Sequence, residues 1–354
     1  MLGDADSVGA QDRMTEERDD HFLVADAYDR GDHTTCLRPE PQRRLLSGVV
    51  CILGCVCLAF AVFCFPGKLC AQFTDPRTYE NAPVGVNQLE LDYAHAHSNA
   101  SIDTSIIVAG AELNLNQGTI YFTRYFSFFR RMAWAEAGVP LAGLDGKVTG
   151  TNIHASSTGT GDSSYQLAVL LKGGPALSVA QFASYKPVTT VGLSLTITAP
   201  TGLYNPDRLL NLGSNRWSYK PEIAVSHPFG PKHNWELDGY ANAYFYTDNT
   251  SYHGMEILRQ QALPGLEGHM SYSFTSSLWA SFDTRYSFGG DTFVNGTNQN
   301  NAQQNFILGS ELNVSLNSQN SLVFEFAKAL LHQNGPSVGG FAVKYLLSWG
   351  KGYR

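Results

Sequence analysis

From about residue 88 to the end, apolar and polar residues alternate in stretches of about ten, separated by polar connections. The last stretch is the clearest. Phe341, Val343, Tyr345, Leu347 and Trp349 share one face, while Ala342, Lys344, Leu346 and Ser348 share the other. In 305–316, Phe306, Leu308, Leu312, Val314 and Leu316 oppose Asn305, Glu311, Asn313 and Ser315. In 278–288, Leu278, Ala280, Phe282, Tyr286 and Phe288 oppose Trp279, Ser281, Asp283, Arg285 and Ser287. One such strand is what any half-buried sandwich strand shows. Number and spacing carry the reading. Twelve strands are expected, at 88–97, 118–128, 131–140, 165–174, 188–199, 216–227, 235–247, 263–274, 278–289, 304–316, 321–330 and 339–349.

The connections alternate in length. Those at 98–117, 141–164, 200–215, 248–262, 290–303 and 331–338 are mostly longer than those at 129–130, 175–187, 228–234, 275–277 and 317–320. Long loops outside and short turns in the periplasm are the mark of a transmembrane antiparallel up-and-down β-barrel with an even strand number. The all-β barrel expected here has about 12 strands, with 10 to 14 compatible with the pattern, and sits in the bacterial outer membrane against its lipid. The chain has 17 Tyr, 20 Phe and 5 Trp, many near strand ends, as in an interfacial girdle. Trp349 closes the last strand, the position expected to engage the barrel assembly machinery, although Gly350–Arg354 overhangs it.

The first 71 residues follow another pattern. Arg43 and Arg44 precede Leu45–Phe65, 21 residues without a charge, and Ala71 follows a Pro66-Gly67 break. This reads as a signal peptide over 43–71, cleaved after Ala71; an uncleaved anchor is the alternative. Residues 1–42 are polar and aperiodic, a disordered leader or a start assigned too far upstream. The barrel then spans 72–354. All six cysteines, from Cys36 to Cys70, lie before it, which excludes disulfides and thiolate metal sites from the barrel. Residues 72–354 carry 20 acids and 17 bases, so no basic field exists to attract nucleic acid.

Candidate chemistry lies on the polar faces. Glu90, Asp92, Lys220, Glu222, Glu236, Asp238, Glu267, His269, Asp283, Arg285, Glu311, Glu325 and Lys344 are expected to line the lumen, with Tyr240, Tyr244 and Tyr246. The bland account is mutual pairing that fills a small barrel; the functional one is a selectivity lining. A turn at Thr275-Ser276-Ser277 pairs Phe274 with Leu278, hence Glu267 with Arg285 and His269 with Asp283. Arg124 breaks the pattern, sharing the apolar face of Ile120, Phe122 and Phe126, which implies a wrong register or a bulge. Leu209, Leu210 and Leu212 are out of place in a solvated loop and are expected to form a lid over the mouth. No Gly-x-Ser-x-Gly elbow, P-loop or His-Glu-x-x-His occurs, and His95 and His97 have no third ligand nearby. No enzyme, metal or cofactor is expected.

Residues 200–228, from Pro200-Thr-Gly-Leu-Tyr-Asn-Pro through Arg216-Trp-Ser-Tyr-Lys-Pro-Glu to His227-Pro228, resemble the bacterial "Putative MetA-pathway of phenol degradation" family. So do Gly173-Gly-Pro-Ala-Leu177, Tyr185-Lys-Pro187 and Ser287-Phe-Gly-Gly-Asp291. The resemblance covers most of residues 80–349. It implies an outer-membrane barrel admitting aromatic or other hydrophobic compounds. The expected function is a passive, narrow-pored channel for such small solutes. A structural or adhesive barrel with a plugged lumen is the first alternative, and a lipid-modifying hydrolase of the outer membrane the second.

Overall fold

A computed structural model describes residues 74–99, 111–148, 152, 154–208 and 210–352. The leader, the signal segment, the cleavage position at Ala71 and Leu209 lie outside these residues. The chain runs β1 (Val86–Ser98), β2 (Ala111–Phe128), β3 (Arg131–Val148), β4 (His154–Thr160), β5 (Ser163–Lys172), a short helix α1 (Val179–Phe182), β6 (Thr190–Ala199), β7 (Ser218–Phe229) and β8 (Trp235–Tyr246). It continues through β9 (Asn249–Tyr252), β10 (Glu256–Gln260), β11 (Leu263–Thr275), β12 (Leu278–Gly289), β13 (Thr292–Val294), β14 (Thr297–Asn298), β15 (Gln303–Ser315), β16 (Asn320–Gln333) and β17 (Gly339–Gly350).

Twelve of these strands close a barrel: β1 to β3, β5 to β8, β11, β12 and β15 to β17. Each pairs antiparallel with its neighbours, and β1 bonds to both β2 and β17, which leaves no open edge. The twelve expected strands are all present. Five further strands occupy three of the outer connections, or extend from them. Here β4 adds to the outer half of β3, and β9, β10, β13 and β14 form a separate four-stranded sheet at the loop end.

The outward face is apolar in a band. Leu91, Ile120, Phe122, Val139, Leu167, Leu195, Ile223, Leu266, Met270 and Phe282 all stand exposed on it. An apolar surface encircling a protein in this way is stable only in lipid. At the turn end the band meets a chain of outward rings. Phe229, Trp235, Tyr272 and Phe274 follow one another at centroid spacings of 6.0, 4.6 and 4.9 Å.

At the loop end the polarity inverts without a change of register. On β2, Ile120 and Phe122 face out below, but Glu112 and Asn116 face out above, where Leu113 and Leu115 turn inward and are buried. On β3, Val139 and Leu141 give way to Asp145 and Lys147, with Ala142 and Leu144 buried inside. The outward charges pair across strands, Lys147 with Glu112 at 3.0 Å and His154 with Asp145 at 3.3 Å. This inversion marks the edge of the hydrocarbon layer. It also explains why the outer parts of β2 and β3 read as loops: their apolar residues line an inner core and their exposed ones are polar. That core includes Leu210 and Leu212, which fold from the β6–β7 connection into the mouth against Ala96, Leu113, Leu115, Ala142 and Leu144.

Two sequence expectations change. Arg124 needs neither a slipped register nor a bulge, since β1 and β2 pair regularly from Asn87 and Arg124 onward. It does face outward, near the turn end, and donates to the Asn87 side chain at 2.8 Å and the Gly85 carbonyl at 3.2 Å. In the β11–β12 hairpin, Thr275 rather than Phe274 opposes Leu278, because Phe274 is the extra residue of a bulge. Beyond it Glu267 opposes Arg285 and His269 opposes Asp283.

Candidate functional site

The lumen is occupied by the chain's own N-terminal segment. Residues 74–84 precede β1 and carry Asp75-Pro76, Asn81 and Pro83, which favour turns over strand. Tyr79 is fully buried at its centre. Its ring meets Trp134 of β3 and Tyr240 of β8 edge-on at 5.3 and 5.2 Å. It lies over Gly192 of β6, where a Cβ would overlap the ring, so glycine is required there by close approach. The Tyr79 hydroxyl donates to Glu222 at 2.8 Å and bonds Ser194 at 2.7 Å.

The plug is fastened mainly to one wall, β6 to β12. Glu267 accepts the Thr74 backbone N–H at 2.7 Å, and Glu222 accepts the Thr74 hydroxyl at 2.9 Å. Asn242 donates to both carboxylates at 2.9 Å. Lys220 lies 3.3 Å from Glu222, and Arg285 lies 3.3 Å from Glu267. Asp238 accepts the Arg77 backbone N–H at 3.1 Å, while the Arg77 guanidinium donates to Ser271 at 2.7 Å and covers the Trp279 ring. His269 is buried, bonded to Asp283 at 2.9 Å, with Tyr240 at 4.9 Å. Glu236 is buried on the same inner face as Asp238.

The opposite wall is open. A cavity of about 460 Å³ lies between the plug and the inner faces of β1 to β3 and β15 to β17. Glu90 and Asp92 of β1 line it, with Glu311 of β15, Glu325 of β16 and Lys344 of β17. Lys344 is the link to the plug, 2.7 Å from Asp75 and 3.2 Å from Glu325. Tyr121, Tyr125 and Trp134 supply ring surface.

All sixteen residues expected inside lie on the inner face, but in unlike groups. Lys220, Glu222, Glu236, Asp238, Tyr240, Glu267, His269, Asp283 and Arg285 build the plug's seat, where pairing dominates. Glu90, Asp92, Glu311, Glu325 and Lys344 border the free space. The three tyrosines differ too. Tyr240 is buried under the plug, whereas Tyr244 and Tyr246 stack on each other nearer the loop end. Tyr244 faces Lys220 and Arg285 at 5.9 and 5.8 Å, and Tyr246 carries Arg216 at 4.2 Å.

Sequence reasoning missed the plug residues Thr74, Asp75, Arg77 and Tyr79, because a segment without periodicity reads as tail. It also missed Glu136, which shares the inward parity of Trp134 and accepts from Thr123 at 2.7 Å. That parity was the available signal. His95 and His97 lie on the outer face with ring centroids 5.1 Å apart, His95 bonded to Asn116.

A closed barrel of twelve strands with an apolar outer band, ring girdle and polar interior defines an outer-membrane β-barrel protein, and the bacterial outer membrane is its location. The chain belongs to the family described as "Putative MetA-pathway of phenol degradation", matched over residues 96–345. Its fold is similar to that of the COG4313 outer membrane channel from Pseudomonas putida F1. The two are 21% identical with a TM-score of 0.67, over 78% of this chain and 100% of that one. The β domain of the Bordetella autotransporter BrkA is more distant, at 10% identity and TM-score 0.47, over 75% of this chain and 100% of that one. No curated protein matches the sequence significantly.

Proposed function

We propose that this protein is a passive outer-membrane channel with a narrow, plug-restricted passage for small hydrophobic or aromatic solutes. The observation that carries the reading is the cavity of about 460 Å³ left beside residues 74–84. The size of the gap suits a solute of one ring; pockets for drug-sized ligands run from about 300 to 1,000 Å³. The family's description, with its reference to phenol degradation, favours an aromatic cargo. Tyr121, Tyr125 and Trp134 offer such a cargo flat apolar surface. The plug equally favours a second reading, a structural or adhesive barrel whose lumen stays shut.

Conductance and uptake separate the two. Purified protein reconstituted in planar bilayers is expected to give small, fluctuating currents. Liposomes carrying it are expected to take up phenol-sized compounds faster than empty ones. Removing residues 74–84 is expected to enlarge the conductance several-fold. Large, steady currents from the intact protein would contradict a narrow passage. A barrel impermeable both with and without the plug would establish the structural reading instead.

A further inference from the structure

The charges around the cavity do not balance. Seven carboxylates border it, from Asp75, Glu80, Glu90, Asp92, Glu136, Glu311 and Glu325, against Arg77, Lys220 and Lys344. Two of the three cations are already engaged, Arg77 with Ser271, Trp279 and, at 3.9 Å, Glu80, and Lys220 with Glu222 and Thr74. Lys344 alone serves the β15–β17 side, and it is already shared between Asp75 and Glu325.

Pairing across β15 and β16 sets Glu311 directly opposite Glu325, each about 5% exposed. Like charges in that position destabilise a sheet. Glu311 has no hydrogen bond and no ion pair within 4.0 Å among the described residues, although it is buried and borders the cavity. On β1 the Asp92 Oδ1 atom is buried without a hydrogen-bond partner. A buried, unpartnered carboxylate is costly unless a cation or a proton meets it. Among the described residues no three acidic or imidazole side chains converge to chelate a metal ion. The charge that answers them is therefore that of a cation other than a chelated metal ion. Tyr121, Tyr125 and Trp134, on the neighbouring wall of the same cavity, suit an apolar body carrying that charge.

We infer that the cavity is a binding site for a protonated amine on a small aromatic or apolar body, its ammonium group held by the directly opposed carboxylates Glu311 and Glu325. This deepens the channel reading by naming a solute class, but binding can be measured without transport.

The test uses benzylamine, benzyl alcohol and benzoate, one body in three charge states. Calorimetric titration of the purified protein in detergent is expected to show benzylamine binding at least tenfold tighter than the alcohol, with benzoate weakest. Glu311→Gln, close in shape and relieved of like-charge repulsion, is expected to lose about tenfold for benzylamine and nothing for the alcohol. Glu325→Gln, on another strand, is expected to act likewise, so one misfolded variant does not decide the matter. Equal binding of the three probes, or unchanged benzylamine binding in both folded variants, would overturn the inference; a proton then suffices at Glu311. Liposome uptake of the same probes separates the two claims. Selective binding without uptake would leave the site standing and remove the channel. Equal uptake with equal binding would do the reverse.

Discussion

Arg124 stands on the lipid side of β2, four residues from the strand's turn-end terminus at Phe128. Its bonds to Asn87 and the Gly85 carbonyl lead the guanidinium toward the headgroups, which is how a long cation is tolerated on such a face. Depth decides the cost of an outward charge. Lys or Arg costs about 2–4 kcal/mol at the membrane midplane and about 0–1 near the interfaces. Leu167 lies on the outward face within the apolar band, whereas Asn114 lies above the polarity inversion. Leu167→Arg is therefore expected to destabilise the barrel by about 2–4 kcal/mol, and Asn114→Arg by no more than about 1. Reversible urea unfolding into lipid vesicles measures both. Equal costs would show that the boundary read from β2 and β3 is misplaced.

Among elements, the plug depends most on a single side chain. Tyr79 contributes ring packing against Trp134 and Tyr240 and two hydroxyl bonds. Truncating a buried aromatic costs about 3–5 kcal/mol. The barrel's own ladder is untouched by that loss, so the cost falls on the plug's attachment. Tyr79→Ala is expected to raise single-channel conductance and to expose residues 74–84 to protease, while the folded barrel persists. Tyr79→Phe keeps the ring and should fall between wild type and Ala. If Tyr79→Ala conducts like the intact protein while deletion of residues 74–84 opens the pore, the plug is held by its polar bonds instead. The β6–β7 connection is the second inserted element. Leu210 and Leu212 were legible as misplaced in a solvated loop, but their partners were not, since Leu113, Leu115 and Leu144 come from strands that themselves read as loops there.

For the whole molecule, closure between the first and last strands is the decisive contact. Leu91 faces Tyr345 across the seam. Directly opposed residues have Cβ atoms about 4.5–5.5 Å apart. With no cysteine beyond residue 70 to interfere, Leu91→Cys with Tyr345→Cys is expected to cross-link on mild oxidation in outer membranes. Leu91→Cys with Leu347→Cys, two residues out of register, is not. A non-reducing gel distinguishes them. Cross-linking of the second pair alone would mean a different shear.

The sequence by itself determined the barrel. Alternation with a period of two, repeated along the chain, says which face of each strand meets lipid, because that face must be apolar over the full thickness of the bilayer. Short turns then set register, as with Glu267 and Arg285, one bulge at Phe274 notwithstanding. Only the tertiary structure decided what fills the lumen. Residues 74–84 have no periodicity, and their partners lie far along the chain, from Trp134 to Lys344. The pattern marks a polar side chain as inward but cannot say whether another group neutralises it. Glu222 and Glu311 look alike in the sequence; one seats a plug and the other faces open space, because most of the plug's polar contacts fall on β6 to β12.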